Sequence, residues 1–323
     1  MERKFPSSLT TAGHEYRNYT TIKPVTVVVK FVIGFGIVLG LLASVFKSSK
    51  SITTKIASTD SNEYVTSFAT RFFSIPVFIL GVVLTQSFVV PNSATFLYAL
   101  AVNSIAMVST TILIAKALKL SDISVISPLL AFVPISVIIP SYLILDEVPT
   151  LVAGSGIVLV SIGAYVLNTG GENTGFLEPI RRLGSDRGAR YILLVLVIVS
   201  VTPSVDKIGI QETSPLMWVL CTHVFASLGI LLFTLSVDSE VAGPLQDNLK
   251  MLVLVGLSSS LIWVFQSYGY TITQVSYIQA LKRVSLLFSV IAGKFIFQEE
   301  NIKRRLVGAV IMLVGVMAIV LGA

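Results

Sequence analysis

Ten apolar stretches, each near the roughly 20 residues that a helix needs to cross a bilayer, fill this chain from residue 29 almost to its end. They run over 29–57, 66–87, 94–116, 122–145, 149–168, 190–210, 215–237, 249–270, 274–298 and 303–322. The breaks between them are short and carry turn or cap residues, such as Pro91-Asn92-Ser93, Ser121-Asp122, Ser214-Pro215 and Glu300-Asn301. In hydrocarbon a backbone must satisfy its own hydrogen bonds, so such a pattern folds as transmembrane helices. Composition agrees. Only 12% of the residues are charged and 54% are hydrophobic, with a mean hydropathy of +0.87, against about 25% charged in a soluble domain. The expected fold class is an all-α polytopic membrane protein with ten transmembrane helices.

That frame decides what the remaining composition means. The net charge of +6 belongs to loops and lipid headgroups, not to nucleic acid. Cys221 is alone, so no intramolecular disulfide forms. His14 and His223 cannot build a metal site with one cysteine, and there is no zinc spacing, P-loop, GxSxG or EF-hand pattern. No catalytic residue, metal or cofactor is expected, and the chain does not read as an enzyme.

The longest connection, 169–189, is Gly-rich and charged and divides the spans five and five. The halves match at one offset of 152 residues, the distance from Lys55 to Lys207. Ile56 then falls on Ile208, Ser124 on Ser276, Ile126 on Ile278, Glu147 on Glu299, Gly156 on Gly308 and Gly163 on Gly315. Five is odd, so the second half enters the membrane from the opposite side. The spans form two inverted five-helix repeats, an arrangement that places a solute site near the midplane between the halves. The resulting division is a polar tail (1–28), a first repeat (29–168), a connecting loop (169–189) and a second repeat (190–323).

Polar residues inside spans are the functional candidates, because a cation there costs at least about 2.5 kcal/mol. Lys282 and Arg283 sit side by side in the ninth span, where the repeat places Leu130 and Ala131 in the fourth. The backbone plan is duplicated and the charge is not, which favours a solute-facing role over a scaffold role. Gln279 and Ser276 precede the pair on neighbouring helix faces, and Arg suits bidentate contact with a carboxylate or phosphate. The bland alternative is that one cation neutralises a buried carboxylate and the other bonds backbone carbonyls. Trp263 and Gln266 lie deep in the eighth span, on one stripe with Tyr270, and either line a cavity or pack between helices. Lys55 and Lys207 are repeat mates that either contact solute or snorkel to the interface. Asp206 is the best internal acid, a gating or ion-pairing partner for Lys282 or Arg283. His223 either carries a coupling proton or makes a helix–helix hydrogen bond. Its repeat mate Arg71 reads as an interfacial anchor. Glu147 and Glu299 read as structural, and Pro128, Pro134 and Pro140 should kink the fourth span.

Two stretches, 117–167 and 276–321, each run from a polar start through an apolar helix to a terminal Glu, a short turn and a Gly-spaced last helix. SVDKIGI at 204–210, with its Lys207, closes the sixth span. These stretches resemble the drug/metabolite transporter superfamily, in its ten-span EamA-type branch. The resemblance implies helices around a central cavity, alternating access, and the first, third, fourth, sixth, eighth and ninth helices as its lining. Lys282-Arg283 looks like the Lys-Arg pair of sugar-phosphate translocators, although other EamA-type members have a similar ALKR stretch.

The function read from this is secondary-active transport of a small anionic or zwitterionic metabolite. Export of amphiphilic or drug-like compounds is the alternative, with a lipid scramblase or membrane enzyme behind it. The partners are a small-molecule solute and the lipid bilayer, with a homodimer left open, and the expected location is the plasma membrane. Lys116, Lys119, Arg181, Arg182, Arg187, Arg190, Lys250, Lys303, Arg304 and Arg305 all fall on the side opposite the two termini. Positive-inside counting puts that basic side in the cytoplasm; the family resemblance implies cytoplasmic termini instead.

Overall fold

The computed structural model describes residues 23–57, 63–89, 91, 93–169, 176–237, 245, 248–296 and 302–323. The side chains of 23–32, 55–57, 292–296 and 302–304 are not among those described. His14, Glu299 and the side chain of Lys55 therefore lie outside the described residues.

All regular structure among these residues is helical: α1 (Lys23–Ala57), α2 (Glu63–Phe72), α3 (Ile75–Leu84), α4 (Ala94–Leu120), α5 (Ile123–Leu130), α6 (Val133–Leu145), α7 (Leu151–Asn168), α8 (Glu178–Arg181), α9 (Arg187–Glu212), α10 (Pro215–Val237), α11 (Leu249–Ile272), α12 (Val275–Leu281), a 3₁₀ turn (Lys282–Val284), α13 (Ser285–Ile296) and α14 (Ile302–Gly322). Nine spans among them are long and apolar enough to cross a membrane. The tenth is the broken ninth span, α12 to α13. Two details differ from the sequence reading. Helix α1 begins at Lys23, inside the polar tail, where Pro24 suits a first helical turn. The connecting loop contains the one-turn helix α8.

Local chemistry explains the boundaries. The Ser93 hydroxyl caps α4 by accepting from the Phe96 N–H at 3.1 Å, and Thr150 caps α7 from Ala153 at 3.2 Å. Asp186 caps α9 from Ala189 at 3.1 Å. These oxygens satisfy N–H groups that a helix start leaves unpaired. Pro215 opens α10, and Asp146, in the left-handed region at φ 55°, closes α6.

Three spans are interrupted. In the second, Ser74 sits at the break and its buried hydroxyl bridges Thr70 O at 2.7 Å and Gly256 O at 2.8 Å. The fourth span breaks at Ala131–Phe132, just before Pro134, whose missing N–H removes a helical bond. The ninth breaks at Lys282–Val284, with no proline near. Positions 131–132 and 283–284 are repeat mates at the 152-residue offset. The same bend is built twice from different residues.

The packing carries the repeat further. Helix α1 packs on α11 and α4 packs on α9, and these two pairings exchange under the offset; α7 packs on α14. At that last crossing a Cβ on Gly156 would stand 2.6 Å from Gly315 O, and one on Gly163 would stand 2.6 Å from Gly308 O. Each glycine of one pair is the repeat mate of a glycine in the other, the self-complementary pattern of a two-fold axis. Lipid provides no hydrophobic drive for helix association, so close backbone approach of this kind holds spans together.

Candidate functional site

The two ends of the bundle are built differently. Toward the side with the termini, Phe96, Val137, Val205, Trp218, Tyr270 and Val275 belong to one buried apolar cluster. An ion pair seals it: the Lys207 ammonium lies 2.5 Å from Glu147 Oε1 and donates to Thr273 O at 3.0 Å. Glu147 Oε2 accepts from the Val275 N–H at 2.9 Å. One carboxylate and one ammonium thus tie the ends of α6 and α9 to the junction of α11 and α12.

Toward the basic side the bundle opens into a cavity of about 690 Å³, lined by Lys47, Lys50, Ser51, Thr54, Ile123, Ser259, Ile262, Trp263 and Lys282. A second chamber of about 460 Å³ shares Thr54 and Ile123 with it and reaches Glu63, Ser67 and Arg71. Arg71, expected as an interfacial anchor, instead lines this chamber and donates to Ser67 O at 3.4 Å.

Lys282 stands at the head of the larger cavity. Its ammonium donates to Gln266 Oε1 and sits 5.8 Å from the centre of the Trp263 ring. Gln266 is only 2% exposed, so its carbonyl is fixed by burial. Lys282 opens the 3₁₀ turn that follows α12. Arg283, the next residue, is half-buried, and no hydrogen-bond acceptor meets it among the described residues.

The structure therefore brings Lys282, Gln266 and Trp263 together and places the other candidates elsewhere. Gln279 turns toward α11 and donates to the Tyr270 hydroxyl at 2.7 Å. Ser276 is buried on the closed side, and its hydroxyl has no partner among the described residues. Lys207 is held in the ion pair with Glu147. Asp206 is 4% exposed and does not meet Lys282 or Arg283 within ion-pair distance in this state. Its Oδ1 accepts from Asn103 Nδ2 and from Trp218 Nε1, both at 2.7 Å. His223 is buried with Nδ1 2.8 Å from Val219 O, a bond to the backbone of its own helix and not the helix–helix bond expected from the sequence. Its ring lies edge-on between Phe78 at 4.9 Å and Trp263 at 5.0 Å, so one indole separates it from Lys282. No group of three potential metal ligands exists among the described residues.

Lys47 and Lys50 were not singled out from the sequence. The signal was present: 47, 50, 51 and 54 share one helical face, and the repeat mates of the two lysines are Val199 and Thr202. The asymmetry that flags Lys282-Arg283 flags them too.

Comparison with curated proteins finds no match. One solved structure, titled only as a crystal structure of a protein, is similar with a TM-score of 0.69 at 12% identity, over 88% of this chain and 95% of that one. At that identity the likeness speaks for the fold. The model of the EamA-like transporter family matches residues 34–169 and again 186–321. Both its starts and its ends are 152 residues apart, the offset found within the sequence. The chain, an integral multi-pass membrane protein built of two such repeats, belongs to the EamA-like transporter family.

Proposed function

We propose that the protein is a secondary-active carrier of a small anionic metabolite, working by alternating access of its two repeats. The observation that carries this reading is Lys282 beside Trp263 at the head of a cavity whose lining contains lysines and no carboxylate. Among the described residues the ion pairs are Arg182 with Asp122 and Glu178, and Lys207 with Glu147. Among the described residues no carboxylate pairs with the cavity cations, the pairing that a carrier of cationic compounds would require. A cation on a membrane span is costly unless something compensates it, and an anionic solute does so. One end sealed by an ion pair and the other open is the form that alternating access gives to a single state.

The test is a ligand-stabilisation screen on purified protein with amino acids, sugar phosphates and nucleotide sugars, run beside Lys282→Ala and Arg283→Ala. An anionic compound should stabilise the wild-type protein and lose most of that effect in Lys282→Ala. An anionic hit that keeps its full stabilisation in both variants removes the assignment.

A further inference from the structure

We propose that the cavity takes a solute with at least two anionic groups, one held at Lys282 and the other at a second pole formed by Lys47 and Lys50 of α1. This rests on the reading of the cavity as an anion-carrier site and adds the charge of the solute to it.

The second pole is built from one helix face. Lys47, Lys50, Ser51 and Thr54 follow the spacing that stacks side chains along a helix, and all four line the same cavity as Lys282. Thr54 Oγ1 is buried with no partner among the described residues, an orphaned hydroxyl at the junction of the two chambers. The Ser51 hydroxyl donates back to Lys47 O at 2.9 Å, which leaves its oxygen free to accept. Neither lysine meets a carboxylate among the described residues.

Position along the span argues against simple snorkelling. A lysine near a helix end extends its stem toward the interface. Lys47 and Lys50 lie two to three turns before the last residue of α1, Ala57, and both are half-buried against the cavity. Lys282 approaches the same space from the opposite repeat. Like charges gathered in one cavity repel one another. One anionic group at Lys282 leaves the α1 lysines uncompensated. A solute with two, such as a dicarboxylate, satisfies both poles and bridges the repeats, while Trp263 offers an apolar face between them.

The experiment uses the full-length protein with matched probes at constant ionic strength and pH 8. These are succinate against succinamate, and glutarate against glutaramate. Thermal stabilisation is titrated in the wild type, in Lys47→Gln/Lys50→Gln, in Lys282→Gln, and in Lys47→Arg/Lys50→Arg as a charge-preserving control for folding. The doubly charged member of a pair should bind at least about tenfold more tightly than its singly charged partner. The Gln pair should abolish that preference while keeping monoanion binding, and the Arg pair should retain it. Equal affinity for both members of each pair, or a preference that survives the Gln pair, overturns the second pole. If monoanions bind and depend on Lys282 alone, the second pole fails and the anion-carrier reading stands. If no probe of either charge stabilises the protein, both fail.

Discussion

The junction of α11 with α12 and the junction of α4 with α5 are repeat mates at opposite ends of the molecule, and they are in opposite conditions. Val275 is 0% exposed, with its N–H bonded to the Glu147 carboxylate. Its mate Ile123 is 68% exposed and lines both chambers. Thr273 accepts from Lys207, whereas its mate Ser121 donates to Asp186 Oδ2 at 2.8 Å. The two ends share a backbone plan, and the proposed alternating access would make their difference one of state more than of architecture. It teaches that closure at one end is made by a charged latch over an apolar plug. At the other end Ile123 lines a cavity instead.

The comparison can be broken hardest at the latch. Lys207 and Glu147 are 16% and 11% exposed, so removing one partner strands a largely buried charge. Glu147→Gln or Lys207→Met should lower stability by about 3–5 kcal/mol. Either change should also let a thiol reagent added from the termini side reach Val275→Cys in a Cys221→Ala background. In the parent background Ile123→Cys should label quickly from the basic side and Val275→Cys slowly from either. Equal labelling of the two would mean that the ends do not differ in state.

A smaller effect is expected at the α7–α14 crossing, which lies outside both junctions. Gly156→Ala places a methyl 2.6 Å from a backbone oxygen and should cost about 1–3 kcal/mol. The relative labelling of the two ends should stay unchanged, because the crossing belongs to neither. A melting curve identical to the wild type would mean that the helices are not in backbone contact.

The smallest effect lies at Asp186, which holds Ser121 on the open side. Burial pushes its carboxyl up, but bonds from the Ala189 N–H, Ser121 and the Gly188 N–H outweigh it, with Arg182 adding to them, so the group sits below its ordinary value. A depressed carboxyl stabilises the fold above its unfolded value of about 4 and loses that contribution as pH falls through the folded value. Asp186→Ala should cost about 1 kcal/mol at neutral pH, and the gap to the wild type should close in acid. A gap that is constant down to pH 3 would deny the carboxylate this role.

How much of this was legible in the sequence depends on whether a feature is local or recurs with the repeat. Gly156, Gly163, Gly308 and Gly315 announced themselves by recurring at one offset, and they meet across the α7–α14 crossing. The fourth-span bend follows from its prolines. Its ninth-span counterpart has none, so only the fold reveals that Lys282 opens a 3₁₀ turn. The bond between Lys207 and Glu147 joins residues 60 positions apart, and no helical periodicity reports a partner on another span. Lys47 and Lys50 lie within the first span, 29–57, and only the fold shows that they share a cavity with Lys282.

The glycine crossing has a consequence for how such a chain changes over time. A side chain added at 156 collides with the backbone at 315, and one added at 163 collides at 308. Neither half of the gene can therefore drift alone at these positions. Elsewhere, as at Leu130 and Lys282, the halves have diverged freely. At the four positions where the repeats meet backbone to backbone, both halves hold glycine.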